Sequence, residues 1–185
     1  MTKLYFATSN ERKLAEAKQG CEPFGIEIIQ QELDFDEIQS HEPLAIAKHK
    51  AVEAFSKIKK PLVINDSSWM IPALNGFPGG YAKDVAKWFI ADDWMRLMNG
   101  VKDRRVCLRE DVIYVDGKVM KDISMNFWGT VVEKPRGIGN SLENVMEFNG
   151  VTLGENRKNK TFAFEAEDYI WYKFAKWYSK NAPKK

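Results

Sequence analysis

The feature that most constrains this chain is its first seventeen residues, where an apolar run gives way to a polar loop and then to a helical pattern. Residues 4–7 are Leu-Tyr-Phe-Ala, residues 8–13 are Thr-Ser-Asn-Glu-Arg-Lys, and residues 14–17 are Leu-Ala-Glu-Ala. A strand that leads through small polar side chains into a helix leaves backbone N–H groups and the positive end of the helix dipole facing outward. This order predicts a strand, a phosphate-binding loop and a helix. A simpler alternative is that Thr8, Ser9 or Asn10 only caps the helix.

Length and charge limit the fold and the partners. A chain of 185 residues with 44% hydrophobic and 29% charged residues fits one globular domain, or two small lobes that share a sheet. The formal net charge is only +2, and the lysine pair at the end, Lys184 and Lys185, suits a solvated terminus better than a nucleic-acid arm. We therefore expect no nucleic-acid partner.

Cysteines, histidines and apolar runs predict a cytoplasmic setting. Cys21 and Cys107 lie far apart with no metal-ligand spacing, and the N-terminus lacks the apolar core of a signal peptide. No apolar run approaches the roughly 20 residues that a membrane-spanning helix needs. His41 and His49 lie in a polar stretch that favours surface positions over a metal site.

The following segments predict a βαβ unit. Residues 25–30 suit a strand, residues 44–58 suit an amphipathic helix, and residues 60–64 suit a second strand that ends before Asn-Asp-Ser-Ser at 65–68. Because ligands bind at the carboxyl ends of strands in open α/β sheets, we expect the loops after Ala7 and after Ile64 to face one cleft.

The remainder of the chain predicts further elements. A loop rich in glycine at 73–81 comes before a helix at about 83–98, and its backbone can either approach a ligand closely or serve as a plain turn. Strands at 104–115 and 118–128 flank Asp116-Gly117, a strong hairpin signal. An irregular stretch at 134–149 leads to a helix at 168–180. Trp171, Phe174 and Tyr178 fall at helical spacing in that helix, which favours core packing over a base-stacking platform.

Acidic residues form a second candidate group. Glu32, Asp34, Asp36 and Glu37 cluster in one segment, and Asp66 follows the predicted second strand. Mg²⁺ prefers oxygen ligands and typically uses one or two carboxylates together with substrate phosphates. The alternative is that the cluster is a solvated surface loop.

Taken together, three motifs resemble those of the inosine triphosphate pyrophosphatase family, enzymes that hydrolyse non-standard purine nucleoside triphosphates to the monophosphate and pyrophosphate. Residues 6–13 (FATSNERK) resemble the family's (T/S)-x-N-x-x-K phosphate motif, and residues 64–68 (INDSS) resemble its (E/D)-D-(S/T) motif. Residues 73–81 (ALNGFPGGY) are similar to its A-L-x-G-x-P-G-x-Y loop. Pro-Arg-Gly at 135–137 matches a family turn, so the resemblance covers roughly residues 3 to 137.

The resemblance implies a fold, a cofactor and an assembly. The fold would be α/β, with a mixed central sheet flanked by helices and two lobes around a nucleotide cleft, in a single domain spanning residues 1–185. The substrate would be a nucleoside triphosphate, the cofactor Mg²⁺, and the assembly commonly a homodimer.

The resemblance also implies roles for individual residues. Glu37 and Asp66 would bind Mg²⁺, and Asp66 would help activate the attacking water. Lys50, sixteen residues before Asp66, falls where the family places a substrate-contacting lysine, and with Lys13 it would offset charge on the phosphate oxygens. The substrate-binding residues would be Thr8, Ser9, Asn10, Glu11, Arg12, Lys13, Lys50, Ser67 and Lys158.

Three departures from the family pattern affect function. Asn65 replaces the acid that often precedes the catalytic aspartate. Residues 140–143 (NSLE) replace an F-G-(W/Y)-D motif that grips the purine, and residues 162–164 (FAF) replace an S-H-R that reads the base. Phe148, Phe162 or Phe164 could supply a stacking surface, although core packing is the more common role of such residues.

Two hypotheses follow. Losing base-reading groups changes specificity more than phosphate chemistry, so the first is a triphosphate pyrophosphatase with an altered or relaxed base preference. The alternative, suggested by Asn65 and the missing motifs, is a catalytically weak member that binds a nucleotide or a partner protein. Nucleic-acid binding has little support because basic residues are spread along the chain.

Overall fold

The structure is a computed structural model that describes residues 2–34, 36, 38 and 40–181. The strands are β1 (Thr2–Ala7), β2 (Ile26–Gln31), β3 (Leu62–Met70), β4 (Pro78–Gly79), β5 (Arg105–Val115), β6 (Met120–Val131), β7 (Met146–Phe148) and β8 (Val151–Thr152). The helices are α1 (Glu11–Cys21), α2 (Pro43–Ile58), α3 (Ala82–Trp88), α4 (Ala91–Leu97), α5 (Ser141–Val145), α6 (Leu153–Asn159) and α7 (Ile170–Asn181).

The described strands form one mixed sheet. Its order is β2-β1-β3-β5-β6-β7-β8, and β4 pairs with β3 beside this path. β1 is parallel to β2 and β3, whereas β4 is antiparallel to β3, and β7 is antiparallel to both β6 and β8. The prediction of an α/β fold with a mixed central sheet flanked by helices is confirmed.

The chain divides into two compact units, each assembled from separate segments. The first unit comprises Met1–Asp66, Glu110–Met125 and Phe164–Lys185, and the second comprises Ser67–Arg109 and Asn126–Ala163. The single domain over residues 1–185 and the nucleotide cleft stay predictions.

In the first unit, α2 covers one face of the sheet with small side chains. Ala47, Ala51 and Ala54 are fully buried, and they pack against Ile64 of β3 and Ile113 of β5. Because alanine has a short side chain, the helix lies close to the strands. Polar side chains of α2 and β3 can therefore reach each other.

The opposite face of the first unit is covered by α1 and α7. Gly20 of α1 is buried against α7, where a Cβ would lie 2.6 Å from Trp171 Cβ and 3.0 Å from the backbone. The Trp171 ring also meets Phe6 of β1 edge to face, with 4.8 Å between centroids. Trp171, Phe174 and Tyr178 are all buried, as the helical spacing predicts.

The second unit has its own aromatic core around Trp94 of α4. Trp94 is fully buried, its Nε1 donates to Ser141 Oγ at 3.1 Å, and its ring contacts Phe77 and Phe89. α3 ends at Trp88, and the backbone of Phe89 is extended.

Three sequence-based predictions of local structure are wrong. The strand predicted at 60–64 continues to Met70, because its later residues pair with β4. The helix predicted at 83–98 is two helices, α3 and α4, since the Asp93 carboxylate accepts from the Ile90 N–H at 2.9 Å and starts a new helix there. The segment at 134–149 contains α5 and β7 instead of being irregular throughout.

The predicted hairpin and the surface positions of the two histidines are confirmed. The hairpin forms between β5 and β6, where Asp116 Oδ1 accepts from the N–H groups of Lys118 and Val119 at 2.9 and 2.8 Å. His41 and His49 are exposed, and Cys21 and Cys107 are free and buried. No helix in the described part of the chain has the length and apolar character needed to cross a membrane.

Candidate active site

Asn10 organises the loop between β1 and α1 by capping the helix. Its Oδ1 accepts from the backbone N–H groups of Arg12 at 3.0 Å and Lys13 at 3.3 Å, and Thr8 Oγ1 accepts from the Asn10 N–H at 3.1 Å. Asn10 therefore caps α1, and phosphate binding by this loop stays a prediction. Two of the N–H groups at the start of α1 already have acceptors, so side chains of this loop must supply much of any phosphate contact.

The other side chains of the loop differ in exposure. Ser9 and Glu11 are exposed, while Arg12 and Lys13 are half-buried. Lys13 Nζ donates to the backbone oxygen of Asn65 in β3 at 3.1 Å. This hydrogen bond brings the N-terminal loop beside the Asn65-Asp66 segment of β3, 52 positions away along the chain.

Lys50 and Asp66 form the central ion pair of the first unit. Lys50 Nζ lies 2.8 Å from Asp66 Oδ1, and the two side chains keep 15% and 20% of their exposure. Lys50 lies in α2 and Asp66 in β3, which are held together by the alanine packing. The structure thus brings Lys13, Lys50 and the Asn65-Asp66 pair together, and their roles toward a substrate stay predictions.

A buried hydrogen-bonded chain, which we call the Tyr169 network, adjoins this pair and was missed by sequence reasoning. It consists of Arg12, Glu16, Tyr169, Glu110 and Asn65. Arg12 Nε donates to Glu16 Oε1 at 3.0 Å, Tyr169 is hydrogen-bonded to Glu16 and to Glu110, and Asn65 Nδ2 donates to Glu110 Oε2 at 2.7 Å. A sequence signal for it exists, because three consecutive charged residues, Arg109, Glu110 and Asp111, stand between the apolar stretches of β5.

Burial shifts the protonation equilibria of this network. Burial raises the pKa of Glu16, and the nearby Arg12 guanidinium opposes that effect. Burial also raises the pKa of Tyr169 well above its ordinary value, and the negative charge of Glu110 raises it further. The Tyr169 hydroxyl is therefore protonated at neutral pH and available as a donor.

The remaining predicted site residues lie elsewhere. Ser67 follows Asp66 in β3 and is half-buried, and it begins the second unit. Lys158 is exposed in the last turn of α6, also in the second unit. Glu37 lies outside the described residues. Its described neighbours Asp34 and Asp36 are exposed, which fits a solvated loop.

The described residues contain no group of three or more His, Cys, Asp or Glu side chains that could hold a metal ion. Asp66 nevertheless suits Mg²⁺, because its carboxylate is partly exposed and supplies hard oxygen atoms. A site completed mainly by substrate phosphates needs only one or two protein carboxylates. The chemistry of the Asp66 carboxylate is compatible with Mg²⁺, and Mg²⁺ binding stays a prediction.

The glycine-rich loop of the second unit is a series of tight turns. Asn75, Gly76 and Gly79 have positive φ angles of 53°, 86° and 60°, and the Ile71 N–H donates to the Phe77 oxygen at 3.1 Å. These hydrogen bonds fix the loop before α3. Its backbone path is thus determined by turns within the unit.

The residues that replace the purine-gripping motif are used to build structure. Asn140 caps α5, since its Oδ1 accepts from the Glu143 N–H at 3.0 Å and Glu143 Oε2 accepts from the Asn140 N–H at 2.9 Å. The Glu143 carboxylate also pairs with Arg157 at 3.0 Å. This segment therefore has a structural role in the second unit and contributes no aromatic ring.

The phenylalanines considered as stacking surfaces have different environments. Phe148 is buried, Phe164 stacks on Tyr169 with 5.6 Å between centroids, and Phe162 is 42% exposed. Core packing thus accounts for Phe148, and Phe164 already has an aromatic partner. Phe162 is the one of these three rings with substantial exposure.

Comparison with protein families identifies the fold. The model of the Ham1 family matches residues 4–163, which include the loop between β1 and α1, β3 and the glycine-rich loop. The chain belongs to the Ham1 family. This confirms the resemblance drawn from the three N-terminal motifs.

Curated relatives of this Ham1 protein match along most of their length. The dITP/XTP pyrophosphatase of Methanosarcina acetivorans is 33% identical over 165 residues, covering 86% of this chain and 90% of the relative. The dITP/XTP pyrophosphatase of Methanopyrus kandleri is 30% identical over 183 residues and covers 97% of both chains. The similarity therefore extends beyond the motifs into the altered C-terminal third.

Solved structures show the same fold as this Ham1 protein. The Ham1 protein of Coxiella burnetii matches with a TM-score of 0.80 at 19% identity, covering 98% of this chain and 100% of the other. The Ham1 protein of Staphylococcus aureus matches with a TM-score of 0.69 at 17% identity, covering 94% and 93%. At these identities the likeness concerns the fold alone.

Proposed function

We propose that this Ham1 protein is a nucleoside triphosphate pyrophosphohydrolase, which converts non-canonical ribo- or deoxyribonucleoside triphosphates to the monophosphate and pyrophosphate. The observation that carries the proposal is the convergence of Lys13, Lys50 and Asp66 in one compact unit. The names of the relatives, dITP/XTP pyrophosphatases, support the same substrate class.

The products require hydrolysis of the anhydride bond between the α and β phosphates. Lys13, with Arg12, holds phosphate oxygens at the start of α1, where the helix dipole also favours negative charge. Lys50 offsets charge that develops on the same oxygens, and its ion pair holds the Asp66 carboxylate in place. Asp66 orients the attacking water and accepts its proton.

Mg²⁺ is part of this proposal. Asp66 and Glu37 would hold the ion, and when bound it would neutralise phosphate charge and lower the pKa of coordinated water. The support is the oxygen-donor chemistry of Asp66, because Glu37 lies outside the described residues.

The proposed base preference differs from that of the family pattern. Residues 140–143 are used for capping α5 and for an ion pair, so they supply no ring to grip a purine. A site without matched polar groups discriminates weakly between bases. We expect activity on several triphosphates, with less selection for inosine and xanthosine forms than the family pattern implies.

A homodimer in the cytoplasm completes the proposal. In the second unit, Trp88, Ile90 and Leu97 are 74%, 61% and 40% exposed within ten residues of sequence. Clustered apolar exposure of this kind is typical of association surfaces. Sedimentation analysis of the purified chain tests the dimer.

A catalytically weak nucleotide- or partner-binding protein is the second candidate. The observation that favours it is Asn65, an uncharged amide that donates to Glu110 where the family often has an acid beside the catalytic aspartate. In this case the triphosphate would bind without turnover.

Pyrophosphate release from a panel of purine, pyrimidine and modified triphosphates, with and without Mg²⁺, separates the two candidates. Metal-dependent release that is lost in Asp66→Asn supports the hydrolase. The matched control is Asp122→Asn, because Asp122 also pairs with a lysine of α2, Lys48, at 3.0 Å but is more exposed. Tight triphosphate binding without release, from folded protein, supports the second candidate.

A further inference from the structure

The Tyr169 network joins the N-terminal loop to the Asn65-Asp66 segment of β3 along a second route. The first route is the hydrogen bond from Lys13 to the Asn65 backbone oxygen. The second leads from Arg12 through Glu16, Tyr169 and Glu110 to the Asn65 side chain. Because Arg12 and Lys13 are consecutive, the two routes close a ring within the first unit.

Glu110 is the most deeply buried acid of this ring. It is 3% exposed, and burying a carboxylate is costly unless hydrogen bonds compensate it. Asn65 and Tyr169 supply such bonds. Replacing any of these partners leaves an unpaired buried polar group, so their positions are coupled.

Glu110 determines how the Asn65 amide is oriented. Asn65 Nδ2 donates to Glu110 Oε2 at 2.7 Å and to the Asp111 backbone oxygen at 3.3 Å. This orientation leaves the buried Asn65 Oδ1 without a hydrogen-bond partner in the described structure. The flipped amide would place Oδ1 against the carboxylate, so attraction to Glu110 outweighs the unsatisfied oxygen.

We infer that Glu110 is a positioning residue for Asp66 and Lys13, acting through Asn65. Asn65 immediately precedes Asp66 on β3, and its backbone oxygen is the acceptor for Lys13 Nζ. A fixed Asn65 therefore fixes both the carboxylate that orients water and the ammonium that contacts phosphate. This inference rests on the proposed function.

The pairing also explains why asparagine suits this chain at the position where the family often has an acid. An aspartate at 65 would place two carboxylates in contact at the present 2.7 Å separation. The negative charge lies instead on the neighbouring strand, β5. The variant Asn65→Asp, which restores the family residue, should therefore impair this protein.

Exchanging the amide of Asn65 and the carboxylate of Glu110 between the two positions tests the inference. The variants are Glu110→Ala, Glu110→Gln, Asn65→Asp and the double variant Asn65→Asp/Glu110→Gln, in which the glutamine amide donates to the aspartate. Each is measured for kcat and KM on the best triphosphate, for binding of inorganic tripolyphosphate by calorimetry, and for thermal unfolding. The control is Tyr114→Phe, which removes a hydroxyl that donates to the Asp116 carboxylate at 3.0 Å elsewhere in the same unit.

We expect Glu110→Ala and Asn65→Asp each to lower kcat by about tenfold to a hundredfold, because small displacements of catalytic groups have effects of this size. Both should weaken tripolyphosphate binding. The double variant should recover most of the kcat lost in Asn65→Asp, and Tyr114→Phe should change only the unfolding temperature.

The inference is overturned if folded Glu110→Ala or Glu110→Gln keeps native kcat and tripolyphosphate affinity, or if the double variant shows no recovery. Should the native protein release no pyrophosphate at all, the proposed function fails, and tripolyphosphate binding alone decides the inference. Loss of that binding in Asn65→Asp with recovery in the double variant supports it, and unchanged binding overturns it.

Discussion

Lys50 Nζ and Asp66 Oδ1 lie 2.8 Å apart, and the pair joins the middle of α2 to the middle of β3. Three buried alanines of α2 pack against the sheet and hold the helix close to the strand. Two residues earlier on α2, Lys48 forms a more exposed pair with Asp122. One lysine of α2 thus belongs to a candidate catalytic pair, and another lysine of the same helix belongs to a matched surface pair.

Asp66→Asn should lower turnover by roughly 10²- to 10⁴-fold, because the amide can neither accept a proton nor carry the charge. The fold should persist, since the side chain is partly exposed. Rates of pyrophosphate release and a circular dichroism spectrum check both expectations. Native-like turnover in folded Asp66→Asn would contradict the proposed role.

Lys50→Gln should lower kcat by about 10²-fold, because a cation that stabilises developing phosphate charge is lost and Asp66 loses its partner. Lys48→Gln is the control and should stay within about twofold of the native rate, since exposed ion pairs contribute little. Equal effects of the two substitutions would show that α2 charge as a whole, not Lys50, matters.

Gly20→Ala should lower the free energy of unfolding by about 1–3 kcal/mol, a typical cost of overpacking. The added Cβ would meet Trp171 Cβ at 2.6 Å, and backbone of α7 at 3.0 Å prevents simple side-chain rotation from relieving the clash. Urea unfolding measures the change. Gln19→Ala, at an exposed position of the same helix, is expected to be nearly neutral.

Cys21 should resist thiol reagents in the folded protein. Burial raises the pKa of its thiol to about 12, so thiolate at pH 8 is roughly a thousandfold scarcer than in an unfolded chain. Reaction with Ellman's reagent should be fast only after unfolding. Fast labelling of Cys21 in the native protein, monitored in Cys107→Ala, would contradict the burial.

The same shift predicts a loss of stability in alkali. The unfolded thiol ionises near pH 8.5 whereas the folded thiol stays protonated to about pH 12, so the folded state binds more protons between these values. The contribution is therefore fully present below about pH 8.5 and is lost as pH rises toward 12. Urea unfolding at several alkaline pH values should show a shallower decline in Cys21→Ala.

The sequence by itself determined the family, the order of most elements and the core face of α7. Hydrophobic periodicity and turn residues act over a few positions, so β1, α2, the hairpin at Asp116 and the buried rings of α7 could be predicted locally. The spacing of Lys50 and Asp66 matched a family pattern, and the structure pairs the two side chains.

Only the tertiary structure decided where strands end and which buried acids meet. β3 continues past Asp66 to Met70, where Trp69 and Met70 pair with β4, a partner that no local pattern reveals. The meeting of Asn65 with Glu110 joins residues 45 positions apart in sequence. Such a contact depends on strand pairing and helix packing over the whole unit, so it cannot be derived from spacing along the chain.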